Sequence, residues 1–165
     1  MLRKNVFALI LVLAAIPALS VPALAAPVKL VSIKDGAAFA ATLREMNYPV
    51  ETKTTKSGMP QLITMIGTLQ TSIVLLGCTK GKNCSHIFLS SSFEDVADAP
   101  DAWITEMNDN YDFLKIGKAS DNSLFFSTAH FVEGLPRSTM KVILDAWEAD
   151  TDSLAEKARE AKLVR

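Results

Sequence analysis

The sequence predicts an α+β fold: an antiparallel sheet of about six strands with three helices packed against it, in the order α-β-β-β-β-α-β-β-α. Three observations carry this expectation. Apolar side chains recur at helical spacing in three separated stretches. Between them lie runs rich in β-branched and aromatic residues. Successive runs are joined by a few turn-forming residues, which suits antiparallel neighbours better than crossovers.

The elements follow in order. "APVKLVSI" (26–33) reads as an extended leading segment. In "KDGAAFAATLREMNY" Asp35 can cap a short helix, with Phe39, Leu43 and Met46 on one face and Pro49 as its stop. "VETKTTK" (50–56) is polar on both faces and suits an edge strand. "SGMP" is a turn, and "QLITMIG" (61–67) and "LQTSIVLLG" (69–77) are the next strands. "SHIFLSSSF" (85–93) is a fourth, with Ile87, Leu89 and Phe93 sharing a face.

A second helix follows, with Asp98 or Ala99 as cap, Pro100 in its first turn, and Trp103, Met107 and Tyr111 or Leu114 as its stripe. "KIGKAS" and "LFFSTAHFVE" are two further strands turned through "DNS". The last helix carries Met140, Ile143, Leu144 and Trp147, either as one long element or as two pieces that break near Asp150.

The chain begins with the three-part pattern of a cleavable export signal: "MLRKN", an apolar run, then "PALSVPALA". Ala23 and Ala25 occupy the small-residue positions, so cleavage is expected between Ala25 and Ala26, leaving residues 26–165 as a single domain. The apolar run falls short of the roughly 20 residues that span a bilayer core. Removing Arg3 and Lys4 from 17 basic residues set against 18 acidic ones leaves a net charge near −3. No basic stripe suits nucleic acid, and no later stretch is apolar enough for a membrane span. The expected location is the periplasm or the medium.

Cys78 and Cys84 are the only cysteines, flanking a short loop between two expected strands. A hairpin loop of this length places its flanking positions within disulfide reach. In an exported chain the oxidised pair is the default. Cys78, Cys84, His86 and His130 can also be written as a Cys₂His₂ metal set, the rival arrangement, while a redox pair would ordinarily show closer spacing at a helix start.

Recognised catalytic patterns are missing: no G-x-S-x-G elbow, no H-E-x-x-H helix and no glycine-rich phosphate loop occurs. Ser90, Ser91 and Ser92 read as the solvent face of a strand. Glu94, Asp95, Asp98 and Asp101 lack the spacing of a calcium loop and suit the positive end of a helix. Glu106, Asp109 and Asp112 read as a solvated helix face. No catalytic residue, metal site or cofactor is expected.

The succession "MNYPVE", "LLGCTKGKNCSHIFLSSSF", "WITEMNDNYDFLKIGKASDNSLFFSTAHF" and "EGLPRSTMKVILDAW" resembles the YbjN-domain family, particularly its exported members. The resemblance covers about residues 33–150. It implies a fold like the type III secretion chaperones, the broad role of sensory-transduction regulator, and neither catalytic residues nor an obligatory cofactor. It carries Asn108 and Asn110 over as structural polar positions, with Met107 standing where the family commonly has tryptophan.

The functional expectation is therefore an exported, non-enzymatic regulatory or chaperone-like binding module. Its partner would be a protein of unknown identity or a second copy, giving a homodimer. Phe125, Phe131 and Val132 are candidates for core or interface. The alternative is a periplasmic protein that binds a small ligand or metal through His86 and His130.

Overall fold

A computed structural model describes residues 27–93, 96, 98–119, 121 and 123–164. The expected signal and its Ala25–Ala26 junction lie outside the described residues, as do Glu94 and Asp95. The elements are α1 (Gly36–Glu45), β1 (Val50–Thr54), β2 (Pro60–Ile66), β3 (Leu69–Leu76), β4 (His86–Phe93), α2 (Asp101–Asn110), β5 (Lys115–Lys118), β6 (Leu124–Phe131) and α3 (Arg137–Glu160). The strands form one antiparallel sheet in the spatial order β1-β2-β3-β4-β6-β5. The α+β class and element order are those read from the sequence.

Strand periodicity divides the sheet into two unlike faces. On one, Leu62 lies opposite Ile73, Ile73 opposite Leu89, and Leu89 opposite Thr128. Leu62, Ile73 and Leu89 are fully buried, each contributing about 1.5–3 kcal/mol through removal of its side chain from water. The helices add Phe39 and Leu43 from α1, Met107 from α2, and Met140, Leu144, Trp147 and Leu154 from α3 to the same core. Trp147 packs its ring 5.8 Å from that of Phe126 and donates from Nε1 to Oγ1 of Thr71 at 3.0 Å. The one polar atom of this large core side chain is thus satisfied within the sheet.

The helix ends have identifiable chemistry. Asp35 caps α1 by accepting from the Ala38 amide at 2.8 Å. Asn47, at φ 69°, closes α1 before Pro49 is reached, with the amides of Asn47 and Tyr48 bonded back to the carbonyls of Arg44 and Leu43. Lys162, at φ 58°, closes α3 in the same way, and Leu163 is buried behind it.

One boundary differs from the sequence reading, and one alternative left open there is decided. Pro100, not Asp98 or Ala99, is the N-cap of α2, because its extended backbone (ψ 140°) holds it just outside the helix. The last helix is unbroken at Asp150, because Thr151, Leu154 and Ala158 continue the buried stripe begun by Leu144 and Trp147. Thr151 fits that stripe by donating its hydroxyl to the Glu148 carbonyl at 3.0 Å. The C-terminal turns are therefore docked.

The leading segment is also built in. Val31 and Ile33 are buried, the Val31 amide donates to the Leu135 carbonyl, and the Ile33 amide donates to Glu133 at 2.6 Å. Replacing Thr71 by Val keeps the shape of the core but leaves the Trp147 N–H unpaired. Urea denaturation is expected to show a loss of about 1–3 kcal/mol, recovered in part when Trp147→Phe is added. A Thr71→Val protein as stable as the parent would show that the bond contributes nothing.

Candidate functional site

Among the described residues the three helices pack on one side of the sheet and no helix covers the other, which is called the bare face. Along β2, β3, β4 and β6 the residues pointing there include Ile63, Met65, Val74, Phe88, Phe125, Ala129 and Phe131, interleaved with Ser72, Ser90, Ser92 and Ser127. None of these strands places a charged side chain on that face, apart from the titratable His86. Charge appears only at its margins, as the Glu51–Lys53 pair on β1 and Lys115 on β5.

At one end of this face the Phe131 ring is 77% exposed and lies 5.1 Å from the His86 imidazole. His86 is held in turn by the Ser85 hydroxyl at 2.9 Å. Phe125 and Met65 are exposed towards the other end. Val132, by contrast, is fully buried. Of the three candidates for core or interface, Val132 belongs to the core and Phe125 and Phe131 to the surface.

The two histidines are not brought together. His86 pairs with Phe131 and points to the bare face, whereas His130 pairs with Ile87 and points to the helix-covered face. Neighbouring strand positions have opposite directions, so sequence proximity in the sheet separates the rings. His130 bonds Thr128 Oγ1 at 3.2 Å, and burial holds its imidazole below the usual histidine range. Among the described residues, no group of three or more His, Cys, Asp or Glu side chains is placed to hold a metal ion. The small-ligand or metal reading loses the shared site on which it depended.

Cys78 and Cys84 have their sulfurs 2.10 Å apart, at disulfide distance. Between them Thr79 and Lys82 exchange backbone bonds around Lys80 and Gly81, whose φ angles of 51° and 74° make a hairpin turn of the primed kind. The far side of the loop grips the leading segment: the Asn83 amide donates to the Lys34 carbonyl at 2.6 Å and the Cys84 amide to the Ile33 carbonyl at 3.3 Å. Gly77 opens the hairpin at φ 66°, where an added Cβ would strike the Ser85 hydroxyl. The pair thus holds a clasp that docks residues 33 and 34 of the leading segment, on the sheet end nearest His86.

Asn108 and Asn110 have different settings. Asn108 donates from Nδ2 to the Ile104 and Ile116 carbonyls and accepts at Oδ1 from the Ile116 amide, each at 2.9 Å. Ile116 lies on β5, the sheet edge, so the side-chain amide meets backbone groups that no further strand reaches. Asn110 is exposed and makes no side-chain hydrogen bond among the described residues. The acidic group before α2 has a structural partner: Lys118 reaches Asp98 at 2.7 Å and Asp101 at 3.8 Å, and its ammonium is held above the usual lysine range chiefly by the bond to Asp98.

Asn108→Ala leaves both edge groups of Ile116 to water and is expected to cost about 1–3 kcal/mol in denaturant unfolding, with faster hydrogen exchange at the Ile116 amide. Unchanged exchange there would remove Asn108 from that role. For His130 the sign follows from its lowered folded pKa. On acidification the unfolded chain takes up the proton first, from about pH 6.5. Stability therefore falls as pH drops through that region and is regained above it. The urea midpoint is expected to fall between about pH 7.5 and about pH 5.5 more steeply in the parent than in His130→Gln. Equal falls would dismiss the contribution.

Comparison with known proteins adds one match. The family described as "YbjN: Putative bacterial sensory transduction regulator" matches residues 35–160, which run from the cap of α1 to the end of α3. No curated protein and no solved structure gives a significant match.

Proposed function

The chain belongs to the YbjN family, and from that premise we propose that it is an exported, non-enzymatic regulatory module that binds a protein partner through the bare sheet face. The observation that carries this is Phe131, 77% exposed beside His86 at the end of a face that none of the described helices covers. An aromatic ring left in water at a rigid sheet position is a ready anchor for a partner pocket. Val74, Leu76 and Phe88 on the neighbouring strands extend the apolar surface around it.

Export is supported by the leader pattern and by the cysteine pair, since a bond across the hairpin persists in an oxidising compartment. The clasp it holds braces the same end of the sheet as Phe131, which suits a surface meant to be presented rigidly. A regulator of this kind acts by occupancy of its face, with no group of its own turning over a substrate.

The test uses protein recovered from its native compartment. Its intact mass is expected to begin at Ala26 and to fall about two mass units below the dithiol form. A photo-crosslinker at Phe131 should yield a discrete adduct that the same group at Val142, on the outer side of α3, does not. Phe131→Ser should abolish the adduct formed from a neighbouring position and leave thermal stability nearly unchanged, because the ring is already in water. A retained leader, or equal labelling from both sites, would overturn the reading.

A further inference from the structure

The bare face has a second region, away from Phe131. Ser72, Ser90 and Ser127 stand directly opposite one another on β3, β4 and β6, with Ile63 and Lys115 ending the row on β2 and β5. Their hydroxyls form a line across the strands, spaced by the interstrand distance of about 4.8 Å. Small side chains in one row, with larger ones on either side, leave a trough of about 740 Å³, within the range of ligand sites. Phe88 walls it on one side and Phe125 on the other.

Three features argue that the trough is shaped for a ligand. Ser127 is only 7% exposed, yet its hydroxyl has no hydrogen-bond partner among the described residues. Its register with Ser90 turns the Ser127 side chain to the bare face, where it lines the trough. Ser72 is already engaged as acceptor for Gln61 Nε2 at 2.8 Å, which orients one end of the row. Phe125 lies across Gly117, where an added Cβ would come within 2.5 Å of its ring; only glycine lets the aromatic plane settle on the sheet beside the serines.

We infer that this trough is a binding site for a neutral glycan segment of a few sugar units. Serine hydroxyls both donate and accept, as do sugar hydroxyls, and among the described residues the trough lining contains no ionised group that would demand a charged ligand. The flat phenylalanine rings suit the C–H faces of pyranose rings. An extended peptide crossing the strands at right angles would find a floor whose backbone groups are already paired within the sheet, so it could not add as a strand. The inference goes beyond the protein-partner reading and uses a different part of the face.

The experiment titrates the full mature chain with cellotetraose, with the tetramer of β-1,4-linked N-acetylglucosamine, and with an uncharged Gly-Asn-rich peptide. Amide chemical shifts and calorimetry provide the readouts. At least one glycan is expected to bind at about millimolar Kd or tighter, shifting the amides of Ser72, Ser90 and Ser127. Ser127→Val and Phe125→Ala should each weaken binding about fivefold. Ser90→Ala, at a less buried position, should do so without disturbing the fold, should Ser127→Val fail to fold. Phe131→Ser should leave glycan affinity unchanged, which separates this site from partner docking. No shift with either glycan at millimolar concentration, shifts confined to other surfaces, or binding by the peptide alone would each overturn the inference.

Discussion

The structure depends on a single division of labour within its strands. Each central strand sends its most deeply buried residues, among them Leu62, Ile73, Leu89 and Phe126, to one side and a mixture of serines, aliphatics and aromatics to the other, and the register keeps those sets aligned across the sheet. Because a register slip of one residue would exchange the two sets, the row Leu62, Ile73, Leu89 and Thr128 fixes both faces at once. The helices follow the buried side, where α1, α2 and α3 pack Phe39, Met107 and Trp147 against it. The bare face is the complement of that choice.

The sheet's margins are handled by different means. β1 carries polar and charged side chains, and its Val50 carbonyl accepts from Arg44 at 2.8 Å. β5 is only four residues long, and Asn108 closes its outer edge with a side-chain amide. Short, charged or capped edges resist pairing with other chains. Such margins leave the face, and not the edges, as the surface through which the proposed partner would be met.

The leading segment and the cysteine hairpin form a second structural unit on this frame. Residues 29–34 lie between the Leu135 region and the Asn83–Cys84 backbone, with Glu133 accepting from Ile33. Arg137, at the start of α3, reaches back to Glu45 at the end of α1, and that contact holds the Glu45 carboxyl below its usual range. The leading segment, the end of α1 and the start of α3 are thus tied near one end of the sheet. This arrangement gives the Phe131–His86 corner a stiff base.

Much of the fold was legible in the sequence because periodicity and punctuation are local. The alternation in β2 to β4, the Asp35 cap, the polar edge strand and the apolar stripes of the helices each follow from side chains a few residues apart. The nearness of Cys78 and Cys84 was local in the same sense, as two ends of one hairpin. What only the tertiary structure decided is how separated stretches meet. It placed β6 between β4 and β5, which put Ser127 in line with Ser72 and Ser90 and turned a serine-rich strand into part of a trough. It sent His86 and His130 to opposite faces, gave Asn108 an edge to close while leaving Asn110 in solvent, and carried α3 unbroken through Asp150. Local pattern tells which way a side chain points along its own strand or helix; which neighbour it faces depends on strand order and register, set by burial of the whole core.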